Sequence, residues 1–277
     1  MQNPLVSIII PCKSKNVVID SLLDDISLQE ESFDAEIIRI DGIKPPGRAR
    51  NVGAEKARGS IFVFIDSDIR LGNDLFLANL IKPLIEKSNI GMTCASHRIP
   101  PYSSGFQILY ARQVPHSESP VVDVLTDVQV ASSACCAIRR EVFLKIGGFH
   151  EDVARGEDSI LSFQLIKESF RVALVPNTWC YHPQPRGIAE LMGTSLRNGM
   201  GACHVDIFYP HLNLDVHPKG VTYFSEKKNI FQRVNRFLLG WLDSLIQAKI
   251  ILFLYKIFYI FGYATGFLRY KILKCKG

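Results

Sequence analysis

The sequence predicts an α/β fold with a mostly parallel central sheet. Short apolar runs rich in β-branched residues alternate with helical segments of about 10–15 residues, which is typical of βαβ units. Turn-forming or charged residues follow these runs, as expected where strands end at the edge of a sheet. The chain has 277 residues, 47% of them apolar, enough to bury the core of such a domain.

The first part of the chain contains three predicted strands joined by helices. The strands are residues 5–11, 36–40 and 61–65. A helical stretch ending near Leu28 follows the first strand, and a helix at about 48–58 follows the second. The small residues Ala49, Gly53 and Ala57 fall on one face of this second helix.

The next part contains a longer helix and a fourth strand. Asn73 is predicted to cap a helix that reaches Lys87, and residues 91–96 form the strand. Residues 98–130 have weak periodicity, so no element is predicted there. The remaining elements are one strand, two helices and two extended segments, at 132–140, 141–149, 156–169, 171–176 and 177–183.

Charge is distributed unevenly along the chain. The net charge is +5, but residues 225–277 carry ten Lys or Arg against Glu226 and Asp243 and therefore hold +8. The preceding part is slightly acidic, which argues against a general nucleic-acid-binding surface. The composition also becomes aromatic and aliphatic after residue 230. We therefore expect two domains, an α/β domain at 1–224 and a basic amphipathic helical tail at 225–277.

The cysteine pattern predicts a protein that faces the cytosol. The seven cysteines are scattered and contain no C-x-x-C pair, so we expect them to be reduced and mostly buried. The first apolar run, LVSIII, is too short for the apolar segment of a secretory signal and follows no basic cluster.

Two carboxylates follow the strongest predicted strand. Asp66 and Asp68 are separated by Ser67, and residues i and i+2 of an extended segment point to the same side. Two like charges held together are costly unless a cation or hydrogen-bond donors neutralise them. The pair therefore predicts a site for a hard divalent cation, which takes carboxylate oxygens as ligands. The alternative is a pair of turn or helix-capping aspartates.

Charged residues also lie at neighbouring strand-to-helix corners. Arg48 and Arg50 occupy the first turn of a predicted helix, where backbone N–H groups attract anions. Lys13 follows the first strand and Asp41 ends the second. The arginines taken alone are also compatible with a solvated helix face. Together with the carboxylate pair, these residues predict a ligand site at one edge of the sheet.

The sequence resembles the family 2 glycosyltransferases. The segments that carry the resemblance are VSIIIPCKSKN, EIIRIDG, GRARNVGAEKARGSIFVFIDSD, CCAIRREVFLKIGGFHED and GEDSILSFQLIKESFRVALVP. They lie between about residues 5 and 205. The resemblance implies the GT-A fold of nucleotide-diphospho-sugar transferases, with helices on both faces of the sheet.

The resemblance also implies roles for the corner residues. Asp41 would bind the nucleotide base, and Pro11, Lys13 and Arg50 would line the nucleotide pocket. Asp68, with Asp66 nearby, would hold a divalent cation, Mn²⁺ or Mg²⁺, that bridges the diphosphate of a nucleotide sugar.

A second carboxylate pair, Glu157 and Asp158, opens a predicted helix. Acidic residues there stabilise the helix by capping and dipole interaction. By resemblance the pair is the acceptor-site motif and Asp158 is the catalytic base, since a positioned carboxylate can take the proton of an attacking sugar hydroxyl. By the same resemblance Gly148 lines the acceptor pocket, a role compatible with a glycine helix stop.

Two further residues are candidates for the site. His182 follows a predicted strand and is a candidate metal ligand or diphosphate contact; the alternative is a hydrogen-bonded structural histidine. Arg197 is a candidate contact to the phosphates or the acceptor, although exposed helical arginines are common.

The apolar tail allows three interpretations. Residues 250–268 contain one charge, Lys256, and the longest run without charge is 257–268. The favoured interpretation is one or two amphipathic helices in the membrane interface, with Lys and Arg facing anionic headgroups. The others are a short or tilted span with a snorkelling Lys256, and burial against protein.

These observations predict an inverting, metal-dependent glycosyltransferase at the cytoplasmic face of a membrane. Inversion is implied by the resemblance. The donor would be a nucleotide diphosphate sugar and the acceptor a hydroxyl, on a glycolipid or a surface polysaccharide precursor. The alternatives are a polyprenyl-phosphate sugar synthase of the same fold, and a non-catalytic binding subunit recruited to membranes.

Overall fold

The computed structural model describes residues 5–30, 34–115, 117–153, 155–212, 214–216, 222–225 and 230–274. The chain forms two compact units. The first consists of Met1–Arg98, Ser119–Val153 and Glu157–His182, and the second of Ile99–Glu118, Ala154–Gly156 and Pro183–Gly277. The expected boundary after residue 224 falls within the second unit, and the division into domains at that point remains a prediction.

One large sheet organises the first unit. Its strands are β1 (Val6–Cys12), β2 (Ala35–Asp41), β3 (Ile61–Ile65), β4 (Arg70–Leu71), β5 (Ile90–Arg98), β6 (Thr126–Val128), β7 (Cys135–Arg139) and β8 (Arg171–Tyr181). They are arranged in the order β2-β1-β3-β7-β5-β8-β4, and β6 pairs with β8. The predicted α/β class is confirmed.

The sheet is mixed, whereas the sequence indicated a mostly parallel one. Strand β1 is parallel to β2 and β3, and β5 is parallel to β8. Strand β7 lies antiparallel between β3 and β5, and β4 and β6 are antiparallel to β8. A strand buried on both faces has the same apolar pattern in either direction, so the pattern alone did not reveal that β7 is reversed.

Helices cover both faces of the sheet in the first unit. They are α1 (Asp20–Ser27), α2 (Pro46–Lys56), α3 (Phe76–Glu86), α5 (Arg140–Lys145) and α6 (Glu157–Lys167). Ile8 belongs to the same apolar cluster as Leu22 of α1 and Leu80 of α3. The next residue, Ile9, points to the other face, where a Cβ on Gly53 of α2 would lie 2.3 Å from its Cγ2. Only glycine permits so close an approach of α2 to the sheet.

Three expectations about individual elements were wrong. Helix α3 begins at Phe76 with Leu75 at its N-cap and no side-chain cap, and Asn73 donates from Nδ2 to the carbonyl oxygen of Asn177 at 2.9 Å. The weakly periodic region 98–130 contains β6 and a helix, α4 (Gly105–Gln113). The two extended segments after residue 170 form the single strand β8.

The second unit is mainly helical. Besides α4 it contains α7 (Ile188–Phe208), α8 (Ile230–Ile246), α9 (Ile250–Lys274) and a small hairpin of β9 (Leu214–Val216) and β10 (Thr222–Phe224). Helices α7 and α9 approach closely, since a Cβ on Gly262 would lie 2.1 Å from the carbonyl oxygen of Leu196. Among the described residues, Ile250–Tyr270 is long and apolar enough to cross a membrane by length and composition.

Candidate active site

The carboxylate pair lies at the end of β3, as the sequence predicted. The backbone N–H of Asp66 donates to the carbonyl oxygen of Ala134 at 2.8 Å, and that of Ile69 donates to the carbonyl oxygen of Asp66 at 3.1 Å. The chain therefore turns at once after the strand. This turn leaves Asp66 half-buried and Asp68 exposed.

His182 joins this pair from the end of β8. Its backbone N–H donates to the carbonyl oxygen of Arg98 at 2.9 Å. Asp66, Asp68 and His182 each offer one ligand atom, and these atoms all lie within 4.8 Å of one another. Two carboxylates and one imidazole suit Mn²⁺ and also offer the oxygen ligands that Mg²⁺ prefers. The donor set therefore fits the divalent cation that the resemblance implies.

His97 contacts His182 of this group, and the sequence did not single it out. Its ring stacks on that of His182, with centroids 5.8 Å apart and planes 6° from parallel. Burial lowers the pKa of His97, but Cys180, Asp66 and Asp158 outweigh this effect and raise the pKa above its usual value. The pairing of β5 with β8 places His97 opposite Cys180, two residues before His182.

Arg50 connects the two carboxylate pairs. Its Nη2 donates to Oδ1 of Asp66 at 2.7 Å, and its Nη1 donates to Oε1 of Glu157 at 2.9 Å. The side chain is 2% exposed, and its guanidinium lies over the Phe149 ring at 5.2 Å. Burial opposes its charge, yet Asp66 and Glu157 raise the pKa of Arg50, so it stays a cation.

These contacts give Arg50 and Glu157 a structural setting that the sequence did not predict. Arg50 was expected in the nucleotide pocket and Glu157 on the acceptor side. Their described partners are protein groups, because the Arg50 guanidinium forms ion pairs with the carboxylates of Asp66 and Glu157. The nucleotide and acceptor roles of the two residues remain predictions.

Asp158 occupies the first turn of α6, next to Glu157. Its Oδ1 accepts the N–H of Ser159 at 2.8 Å, and the residue is half-buried. Burial raises the pKa of Cys136 to about 12, with Arg50 opposing the rise and Asp66 and Asp158 adding to it. Arg50 bonds both Asp66 and Glu157, the residue before Asp158, so the structure brings the two aspartates to the same part of the first unit.

The predicted nucleotide-side residues lie at the ends of β1 and β2. The register pairs Pro11 with Ile40, and Lys13 is exposed in the loop that follows β1. Asp41 ends β2, where its Oδ1 accepts Nε of Arg39 at 2.8 Å.

Arg39 also holds the loop after β1, which sequence reasoning missed. Its Nη2 donates to the carbonyl oxygens of Lys15 and Val17, each at 2.9 Å. The signal was present in the sequence, because residues 39 and 41 of one strand point to the same side.

The glycine turn predicted to line the acceptor pocket is fixed to α2. Gly148 has φ +72°, and a Cβ there would lie 2.9 Å from Oδ1 of Asn51. Asn51 donates from Nδ2 to the carbonyl oxygen of Phe149 at 2.8 Å, and its Oδ1 accepts the Phe149 N–H at 2.9 Å. Asn51 was another residue that the sequence did not reveal.

Arg197 belongs to the second unit. It lies exposed on α7 and donates from Nη2 to Oγ1 of Thr194 at 3.1 Å. Partial burial and the neighbouring charge of Arg155 lower its pKa. Its contact with a diphosphate or an acceptor remains a prediction.

Residues 27–147 match the family model described as glycosyl transferase family 2. Over these residues the chain is similar to glycosyltransferase family 2. The matched region carries Asp41, Arg50, Asp66 and Asp68. A curated relative, an uncharacterized glycosyltransferase of Haemophilus influenzae, is 25% identical over 182 residues. That alignment covers 63% of this chain and 57% of the relative, so the chain spans little more than half of the relative's length.

Solved structures support the GT-A fold. The mannosyltransferase PcManGT from Pyrobaculum calidifontis, in complex with GDP-Man and Mn²⁺, is 15% identical with a TM-score of 0.62. The match covers 95% of this protein and 87% of that chain. A mycobacterial protein is 16% identical with a TM-score of 0.51, over 80% of this chain and 84% of its own. At these identities the likeness shows the fold alone.

Proposed function

We propose that the protein transfers a sugar from a nucleotide diphosphate sugar to an acceptor hydroxyl in a metal-dependent, inverting reaction. One observation carries this proposal: Asp66, Asp68 and His182 converge at the end of β3, with their ligand atoms within 4.8 Å of one another. In an open α/β sheet, ligands bind beyond the carboxyl ends of strands, which is where this group lies.

On the donor side, Asp66, Asp68 and His182 would hold Mn²⁺ or Mg²⁺, and Asp41 with Pro11 and Lys13 would bind the nucleotide. The bound ion supplies positive charge that offsets the charge of the diphosphate. Lys13 adds an exposed cation at the end of β1. The complex of the structurally similar PcManGT with GDP-Man and Mn²⁺ supports this class of donor and metal.

On the acceptor side, Asp158 would accept the proton of the attacking hydroxyl. A sugar hydroxyl is a poor nucleophile, so a positioned carboxylate accelerates its attack. Asp158 lies in the first turn of α6, where the N-terminal end of the helix carries partial positive charge. Direct attack of the hydroxyl on the anomeric carbon breaks the bond to the diphosphate and inverts the configuration.

The acceptor is proposed to be a glycolipid or a precursor of a surface polysaccharide, at the cytoplasmic face of a membrane. Support comes from the charge of +8 on residues 225–277, which favours anionic headgroups, and from the apolar helix Ile250–Tyr270.

The experiment is a thermal-shift screen of nucleoside diphosphates with and without Mn²⁺. One diphosphate is expected to raise the apparent melting temperature only when the metal is present, since ligands that bind the native state stabilise it. Asp68→Asn should abolish this shift. Asp74→Asn, which changes an exposed aspartate before α3, is the matched control and should preserve it. A diphosphate shift that persists unchanged in Asp68→Asn would contradict the proposed metal site.

A further inference from the structure

Helix α8 carries an apolar stripe on its exposed side. At 3.6 residues per turn, six of its exposed apolar side chains fall on one face. They are Phe231, Leu238, Leu239, Leu242, Leu245 and Ile246. Among the described side chains of α8, none in this stripe is charged. A helix on the surface of a soluble domain normally turns such a stripe towards the protein core.

The opposite face of α8 is the one that packs on α9. Trp241 stacks on Phe253 with ring centroids 5.0 Å apart, and Nζ of Lys256 donates to the carbonyl oxygen of Gly240. The apolar stripe therefore points away from α9. Lys256, the one charge in the apolar run 250–268, is turned towards α8 and leaves the outer side of α9 without that charge.

Helix α9 has two different sides. One side packs on α7 with polar contacts, in which Asn198 donates to the hydroxyl of Tyr255 at 2.8 Å and Tyr263 donates to Oδ2 of Asp206 at 2.7 Å. The other side is exposed and apolar, with Ile260, Phe261, Ala264, Phe267 and Leu268. The helix is thus long enough to span a bilayer but is bound along one side to α7 through Asn198 and Asp206.

We infer that α8 and α9 attach the protein to an anionic membrane by lying in the plane of its interface, through these two apolar faces, and that α9 does not span the bilayer. Spanning would draw the polar partners on α7, including Asp206, into hydrocarbon, where charged groups are costly. Lying in the interface buries only the apolar faces. The excess of Lys and Arg in residues 225–277 complements anionic headgroups. This inference deepens the proposed membrane attachment and does not depend on sugar transfer.

Vesicle flotation of the full chain tests the surface. We expect binding to vesicles of phosphatidylcholine with phosphatidylglycerol, and weaker binding to phosphatidylcholine alone. Leu239→Glu should lower binding by about tenfold or more, because burying one leucine is worth about 1.5–3 kcal/mol. Leu144→Glu on α5 is the matched control, since Leu144 is 61% exposed and Leu239 is 58% exposed. Equal binding by the two variants would overturn the assignment of the surface.

Spin labels distinguish an in-plane helix from a span. Ile250, Phe261 and Leu268 lie on the same side of α9, and each is replaced by cysteine in a chain whose Cys275 is serine. The six described cysteines are buried, so background labelling should be slow. In-plane attachment predicts the same shallow depth at all three sites. A span predicts that the first and last differ by about 27 Å along the bilayer normal, which would overturn the inference.

Sedimentation without lipid tests the alternative that a second copy of this chain covers the apolar faces of α8 and α9. A dimer that Leu239→Glu converts to a monomer, together with no vesicle binding, would overturn the membrane assignment. The nucleotide thermal shift is measured on Leu239→Glu in parallel. If the nucleotide shift persists while membrane binding fails, the membrane surface is tested independently of the nucleotide site. If membrane binding persists while the nucleotide shift is absent, the proposed function fails and the membrane inference stands.

Discussion

Arg50 and Asp66 are joined by a hydrogen bond of 2.7 Å from a guanidinium that is 2% exposed. Asp66 is therefore anchored to a buried cation on one side while it contributes to the candidate metal site on the other. The same guanidinium binds Glu157, the neighbour of Asp158. One buried arginine thus fixes both the strand end that carries the candidate metal ligands and the helix that carries the candidate base.

We predict that Arg50→Met lowers the free energy of unfolding by about 3–5 kcal/mol, because it leaves the carboxylates of Asp66 and Glu157 without their buried cation. The free energy of unfolding of Arg50→Lys should lie between those of the wild type and Arg50→Met. Lysine keeps the positive charge, but its ammonium lacks the planar fork that reaches both partners. Urea unfolding at neutral pH measures both variants.

The control for this prediction is Arg48→Met on the same helix. Arg48 is 61% exposed and lies 3.9 Å from Glu151, so its loss should cost about 1 kcal/mol or less. If Arg50→Met unfolds at the same urea concentration as Arg48→Met, the buried network contributes nothing to stability.

Asp158→Asn is expected to lower kcat of sugar transfer by about 10²–10⁴-fold, because the amide cannot accept the acceptor's proton. Nucleotide binding with Mn²⁺, measured by thermal shift, should remain unchanged. Asp152→Asn, at an exposed aspartate of the preceding loop, should retain wild-type kcat. Near-normal turnover in Asp158→Asn would instead indicate an acceptor that needs no base, such as a polyprenyl phosphate.

Glu36 is predicted to make the free energy of unfolding depend on pH in the acidic range. Its carboxylate accepts the backbone N–H of Arg58 at 2.6 Å and the hydroxyl of Ser7 at 2.7 Å, and these bonds lower its pKa from 4.5 to about 2. Because the pKa is depressed in the folded state, the stabilisation is complete above about pH 4.5 and is lost as the pH falls towards 2.

The measurement is the free energy of unfolding between pH 6 and 2, where roughly 1–2 kcal/mol should disappear in the wild type after allowance for solvent screening. Glu36→Gln should lack this part of the pH dependence. Glu55→Gln, at an exposed position on α2, should retain it. Identical profiles for the two variants would exclude Glu36 as the source.

The sequence predicts the elements that depend on local pattern. Strand β3 and the carboxylates after it were found because a buried run ended by two acidic residues is visible in one dimension. Asp66, Asp68 and His182 lie close together, and their role as metal ligands remains a prediction.

What remained hidden depends on contacts between distant parts of the chain. Arg50 and Glu157 are 107 residues apart, and no periodicity links them. Asn51 reaches Phe149 across 98 residues, and His97 meets His182 only because β5 pairs with β8. The direction of β7 was likewise decided by tertiary pairing and not by its composition.

Gly262→Ala is predicted to loosen the contact between α7 and α9, because the new Cβ would lie 2.1 Å from the backbone carbonyl oxygen of Leu196. Backbone cannot move aside as a flexible side chain can, so the two helices must separate. We expect a loss of about 1–3 kcal/mol. Amide hydrogen exchange should rise in α7 and α9, while the amides of β1 and β3 stay protected.

Gly105→Ala is the control, since a Cβ at Gly105 of α4 meets no atom within 4 Å. It should be neutral or slightly stabilising, because alanine restricts the unfolded chain more than glycine does. If exchange in α7 rises equally in both variants, the close approach at Gly262 does not hold these helices together. If only Gly262→Ala raises it, α9 depends on α7 along the side where their backbones approach.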